Sequence, residues 1–262
     1  MNNKAEKTGI KLLKNSASLI VLVIVWEVFC IINKNLDSRF INSLLFPAPH
    51  QLIEALVDEW QKGYLQTDFI ASMSRVIKGF AIASVIGIFA GVLSGYFKVC
   101  EIIINPIVEL FRPIPALAFL PLFLLWFGIG ETSKVMFIAF GAFFNIYVNT
   151  YHSVLYTPPV MIRAAKCLGA SKTQILCKVV LPNAMPGIFT GLRLGFGLAL
   201  FVLVSAELLA ASSGLGFRIM DARSNFNVSV MLAGAFLIGI IGLVFGKLFD
   251  LVQNFVLRWV EQ

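Results

Sequence analysis

Two asparagines one helical turn apart, Asn145 and Asn149 with Tyr147 between them, interrupt an otherwise apolar stretch. Neutral amide donors facing a cavity could hold the oxygens of an anion without trapping it, as passage of a solute requires; the same amides could equally bond helix to helix. Glu207, beside Ser205 in another apolar run, is either a cap or gate bond between elements or a contact for a solute. Glu109 and Arg112, three apart, can neutralise each other on a helix. Glu27 reads as a carboxyl near an interface or facing a neighbouring helix, with a role in transport as the alternative. Covalent chemistry is missing: there is no Gly-x-x-x-x-Gly-Lys-Ser/Thr loop to cradle nucleotide phosphates, no His-Glu-x-x-His and no Gly-x-Ser-x-Gly elbow. His50 and His152 are isolated from each other and from any cysteine pair, and Cys30, Cys100, Cys167 and Cys177 lack metal-ligand spacing. These patterns argue against an enzyme and against a metal site, with the thiols reduced and structural.

The surroundings of these residues name their solvent. A chain of 262 residues that is 58% apolar and 13% charged, with mean hydropathy +0.87, departs far from soluble domains, which carry about 25% charged residues. It belongs in a lipid bilayer. A net charge of +7 is compatible with nucleic acid binding, but the basic residues lie in short loops between apolar runs and form no aromatic-interleaved patch, so nucleic acid is excluded as a partner.

In chain order, Lys4, Lys7, Lys11 and Lys14 precede an apolar run over residues 17–32 with no small-x-small cleavage site, which predicts a retained anchor with its amino end inside the cell. Residues 36–74 are polar and acidic, with Asp37, Glu54, Asp58, Glu59 and Asp68, and suit an external segment containing an amphipathic helix over 50–60 opened by Pro49. The second span, 76–96, carries Gly79, Ala83, Gly87, Gly91 and Gly95 every fourth residue. The fifth, starting near Pro186, repeats the pattern with Gly187, Gly191 and Gly195. Such ridges let another backbone approach closely, which is how helices associate in lipid. Pro106, Pro113, Pro115 and Pro121 predict a discontinuous third span. Broken backbone at membrane depth must face protein or a water-filled cavity, so Phe123 and Trp126 join Asn145, Asn149 and Glu207 as candidate pathway residues. An external loop over 212–227, a sixth span over 229–249 and a short tail with Phe255, Arg258 and Trp259 complete an all-α polytopic membrane protein, read as one transmembrane domain, 1–262, with six transmembrane helices and both termini cytoplasmic.

The segment 153–185 is different in kind. It holds Arg163, Lys166, Lys172 and Lys178, placed inside by their charge. Pro158 and Pro159 suit the first turn of a short helix that Gly169 stops; Ser171 and Gln174 form a capping box for a second. Met161, Ala164, Ala165 and Leu168 fall on one face of the first helix, where the small pair would let it sit deep in a partner's groove.

Ala164-Ala165, Gly169 and Val179-x-Leu181-Pro182 resemble the "EAA loop" of the permease subunits of bacterial ATP-binding-cassette (ABC) importers. Arg163 stands where that family has an acidic residue, and Val179 where it usually has isoleucine. Pro47-x-Pro49, Arg75-Val-x-x-Gly79-Phe80, Arg112-Pro-Ile-Pro115, Phe127-Gly-Ile-Gly130, and Glu207 followed by Gly214-Leu-Gly216 extend the resemblance to the nitrate/sulfonate/taurine branch over nearly the whole chain. The resemblance implies the type I ABC importer permease fold in the bacterial cytoplasmic membrane, a homodimer of permease subunits, two ATP-binding-cassette subunits and an extracellular solute-binding protein. ATP and Mg would be held by the partner, with no cofactor in this chain. It further implies that Arg163, Ala164, Ala165, Leu168, Gly169, Ala170, Ser171, Leu181 and Pro182 form the coupling contact. The cargo would be a small anion such as a sulfonate, taurine or nitrate, with pyrimidine or riboflavin-like compounds carried by related permeases. The rival of another class is an ATP-independent channel or secondary carrier, which would usually place more ionisable residues mid-membrane and has no use for such a loop.

Overall fold

The computed structural model describes residues 20–33 and 45–257. Lys4, Lys7, Lys11, Lys14, Asp37, Arg258 and Trp259 lie outside the described residues. Among those described, the elements are helical: α1 (Ile20–Asn33), α2 (Pro49–Gln61), α3 (Tyr64–Tyr96), α4 (Lys98–Phe111), a 3-10 turn (Ala116–Phe119), α5 (Leu120–Phe127), α6 (Glu131–Leu155), α7 (Pro159–Cys167), α8 (Lys172–Ile175), a π turn (Leu176–Val180), α9 (Leu181–Ala210), α10 (Leu215–Ser224) and α11 (Val228–Val256). They fall into two compact units, Met1–Gln66 with Arg218–Phe236, and Thr67–Phe217 with Leu237–Gln262.

In the first unit Pro49 occupies the first turn of α2, where its missing N–H costs nothing. Of the expected apolar stripe only Leu52 is buried. His50 Nδ1 lies 2.6 Å from Glu27 Oε1 of α1, which gives that carboxyl its partner. Arg218 pairs with Glu59 at 3.6 Å and stacks 4.5 Å from the Tyr64 ring.

In the second unit α6 is the central element, and the glycine ridges explain why. A Cβ added at Gly79, Gly91 or Gly95 of α3 would lie 2.7 Å from Ile138, Thr150 or Val154 of α6, and one at Gly87 would lie 3.0 Å from Ile146. From α9, a Cβ at Gly191 would lie 2.8 Å from Asn149 Cβ, one at Gly195 2.6 Å from Ile146, and one at Gly187 2.8 Å from Ser153 Cβ. Ile146 touches both ridges. The absent methyls are what allow α6 to lie against both neighbours at backbone distance.

Several boundaries differ from the sequence expectation, each for a reason outside local pattern. The second span begins at Tyr64 rather than near 76, because Asp68, Ser72 and Arg75 are buried and hydrogen-bonded instead of solvated. The second short helix is not separate: α8, the π turn and α9 run on as one helix, Lys172–Ala210, so the fifth span does not start at Pro186. Pro182 would collide with the carbonyl of Lys178 in a regular helix; Lys178 lies in the wider π turn, which makes room. The 212–227 loop contains α10. The third span is discontinuous as read, with α4 and the following 3-10/α5 segment bent by 92° across Pro113 and Pro115. Glu109 does not pair with Arg112; it accepts a bond from Asn105 Nδ2 at 2.8 Å. Of the six expected spans, three helices (α3, Lys172–Ala210 and α11) are long and apolar enough to cross a membrane, and the bent pair makes a fourth if it counts as one span.

Gly91→Ala is expected to destabilise the protein by about 1–3 kcal/mol, because its Cβ meets the Tyr147 carbonyl at 2.9 Å as well as Thr150. Gly246→Ala on α11, with nothing within 4 Å, is the control and should leave stability equal or slightly raised. Thermal melting of the two variants in detergent checks this.

Candidate functional site

The candidate side chains at Glu207 and in the basic segment lie at the two ends of the long helix Lys172–Ala210. At its carboxyl end Glu207 is 1% exposed. Its carboxylate accepts from Arg75 Nη1 at 2.6 Å, from Ser72 Oγ at 2.8 and 2.9 Å, and from the Gly216 N–H at 2.9 Å. Arg75 also donates to Glu131 at 2.6 and 2.8 Å, and to the Ser213 carbonyl at 2.7 Å. Lys134 reaches the same Glu131 at 3.0 Å. The Gly214 N–H donates to Asp68 at 2.7 Å and the Leu215 N–H to Ser72 Oγ at 2.8 Å. One guanidinium thus ties α3 to the start of α6, the end of α9 and the 213–216 segment. Those side-chain acceptors take up N–H groups at the start of α10, which is why a helix forms there. Gly214 has φ +119°, and a Cβ on it would lie 2.3 Å from Glu207 Oε1, so this turn admits no side chain.

At the amino end stands the basic segment. Gly169 closes α7 with φ +76°, its N–H bonded to Lys166 O at 3.0 Å and the Ala170 N–H to Ala165 O at 3.0 Å. Ser171 and Gln174 form the capping box of α8, at 2.8 and 3.3 Å. Tyr96 at the end of α3 donates to the Lys172 carbonyl at 2.9 Å. Ile162, Ala165 and Ala170 pack on a buried cluster of Val154, Ile175, Val180, Ala184 and Ile188. The alanine pair is therefore divided, in contrast to the single face expected: Ala165 turns inward, while Ala164 is exposed with Arg163, Met161 and Leu168. Leu181 and Pro182 are half-buried in the first turn of α9.

The remaining candidates stand apart from both ends. Asn149 spends an amide donor within its own helix, on the Asn145 carbonyl at 2.8 Å, and its Cβ faces Gly191. Phe123 and Trp126 line a groove of about 400 Å³ between α4, α5 and α6 whose walls are apolar and aromatic.

Residues 83–262 match the family described as binding-protein-dependent transport system inner membrane component. The chain belongs to that family. It is 38% identical to the taurine transport system permease protein of Escherichia coli, over 86% of this chain and 81% of that one. It is 31% identical to the nitrate import permease protein of a Synechocystis strain, over 94% and 90%. An inward-facing structure of the MetNI methionine ABC transporter shares the fold, with TM-score 0.62 and 21% identity over 77% of this chain and 98% of that chain.

In this transport component, sequence reasoning found Glu207 and missed its side-chain partners Ser72 and Arg75, together with Asp68, Glu131 and Lys134 in the same network. A signal existed: Asp68, Ser72 and Arg75 stand at i, i+4 and i+7, a polar stripe leading into an apolar helix. Arg75→Met leaves the buried Glu207 carboxyl without its cation. It is expected to cost about 3–5 kcal/mol, of which adding Glu207→Gln restores a part. Denaturation of the single and double variants measures both terms.

Proposed function

We propose that this permease subunit imports a small organic sulfonate such as taurine across the bacterial cytoplasmic membrane, driven by ATP hydrolysed in separate subunits. Two copies of the chain would form the pathway, with two ATP-binding-cassette subunits on the cytoplasmic side, holding ATP and Mg, and a solute-binding protein outside. Both termini and the coupling segment 153–185 lie in the cytoplasm under this reading. The sulfonate assignment rests on the taurine relative, which the chain matches at 38% identity.

The observation that carries the mechanism is the continuity of the helix Lys172–Ala210. At 1.5 Å per residue its 39 residues span about 58 Å, from the segment beside α7 to the Glu207 cluster. A displacement of α7 by an ATP-binding subunit passes through Ile162, Ala165 and Ala170 into the start of this helix. The two glycine rows and the Arg75 bonds carry it into α6 and α3. Only a difference in contact between the two nucleotide states of the partner can drive such a shift.

Proteoliposomes holding this chain, its ATP-binding subunit and its binding protein should concentrate labelled taurine only with ATP. Ala164→Trp, on the outward face of α7, should reduce ATP-driven uptake to background while the melting temperature stays unchanged. Accumulation of solute by this chain alone, with no ATP-binding subunit present, overturns the reading.

A further inference from the structure

The outward surface of α7 is asymmetric, and the asymmetry specifies its partner. With Ile162 and Ala165 turned to the protein, a helix of 3.6 residues per turn directs Val160 and Cys167 outward, with Arg163 and Ala164 each about 50° to either side of that line. Arg163 and Lys166 flank that line on one side, Met161 and Leu168 on the other, and all four are exposed, Leu168 to 86%. The small central side chains permit a close approach, while the two flanks ask for opposite chemistries.

Charge makes the request stronger. From residue 132 to residue 206 the sequence contains no aspartate or glutamate, so Arg163, Lys166, Lys172 and Lys178 have no carboxylate within their own segment. All four side chains are exposed, and none forms an ion pair among the described residues. A lipid headgroup layer would also accept cations. A lipid-seated helix, however, lays its main apolar face into the acyl boundary; here Ile162 and Ala165 are spent on the protein core, and the exposed Met161 and Leu168 form only one flank of the outward surface, opposite Arg163 and Lys166.

We propose that the ATP-binding subunit receives α7 in a socket with two unlike walls: an apolar wall against Met161 and Leu168, and an acidic wall, carrying at least one aspartate or glutamate, against Arg163 and Lys166. The inference rests on the coupling role proposed above and adds to it the sign of the partner's charge. Because Arg163 occupies a position that is acidic in the family this chain resembles, the pairing also sorts subunits: one whose socket is basic at this point meets like charge and is rejected.

The test is binding of the full-length chain in detergent to the ATP-binding subunit encoded beside it, for wild type, Arg163→Ala, Arg163→Glu and Ala164→Trp, at low and high salt. Arg163→Glu should weaken binding by about tenfold or more at low salt, Arg163→Ala by less, with the difference shrinking as salt rises. Reversing one carboxylate in the subunit's socket to lysine should restore Arg163→Glu and weaken wild type. If Ala164→Trp abolishes binding while Arg163→Glu leaves it unchanged, docking stands and the acidic wall is overturned. If neither substitution matters, the coupling role itself fails. If Arg163→Glu lowers only association with phosphatidylglycerol vesicles, the cations serve the membrane and the proposal is overturned.

Discussion

Close approach between backbones is the constraint on which this structure depends. In lipid two helices gain nothing by hiding apolar side chains from each other, so dispersion contact over a tightly matched surface has to hold them. Here that surface consists of missing side chains. Gly79, Gly87, Gly91 and Gly95 on one side of α6, and Gly187, Gly191 and Gly195 on the other, leave room for Ile138, Ile146, Asn149, Thr150, Ser153 and Val154. Polar bonds fasten the same three helices beyond the glycine rows, with Tyr96 on the Lys172 carbonyl at one end and Arg75 on Glu207 and Glu131 at the other. The result is one body from the Tyr96–Lys172 contact to the Glu207 cluster.

The buried ions are there for position more than for stability. A charge removed from water carries a desolvation cost of several kcal/mol, which a partner at 2.6 Å roughly offsets without a large surplus. What the cluster supplies is uniqueness. Arg75 has two carboxylates and a carbonyl around it, and the Gly214 and Gly216 turn fits against Glu207 only without a Cβ. A one-residue slip of α3 against α9 would strand every one of these groups in an apolar interior.

Features written in local pattern were legible in the sequence: bilayer composition, the four-residue glycine period, the proline-broken third span, the Ser171–Gln174 box and the stop at Gly169. Features that depend on distant partners were not. Asp68 and Ser72 looked like part of an external polar stretch because their partners lie 135 or more residues away. α10 was hidden for the same reason, its first N–H groups being held by residues of α3 and α9. The alanine pair misled through a narrower error: adjacent residues on a helix are 100° apart, so Ala164 and Ala165 could never both face one groove squarely. Pro182 and Pro186 suggested a break; the π turn makes room for Pro182, and Pro186 lies inside the continuous α9.

A body this firmly joined can transmit a displacement but has little means of absorbing one, which bears on where compliance resides in the second unit. Two places have it. The turn at Gly169, with positive φ and nothing within 4 Å of a would-be Cβ, lets α7 pivot against α8. The 92° break between α4 and α5, where prolines have removed backbone donors, joins two short helices through a few hydrogen bonds. Whatever part of an imposed shift the Gly169 turn does not take up reaches α9 whole, because the inward contacts of Ile162 and Ala165 are apolar and close-packed, and packed interfaces of that kind switch between discrete seatings instead of deforming by degrees. Under the proposed coupling role, the segment around α7 acts as a lever to the extent that its hinge is stiffer than its seat, and the capping bonds on both sides of Gly169 are what stiffen it.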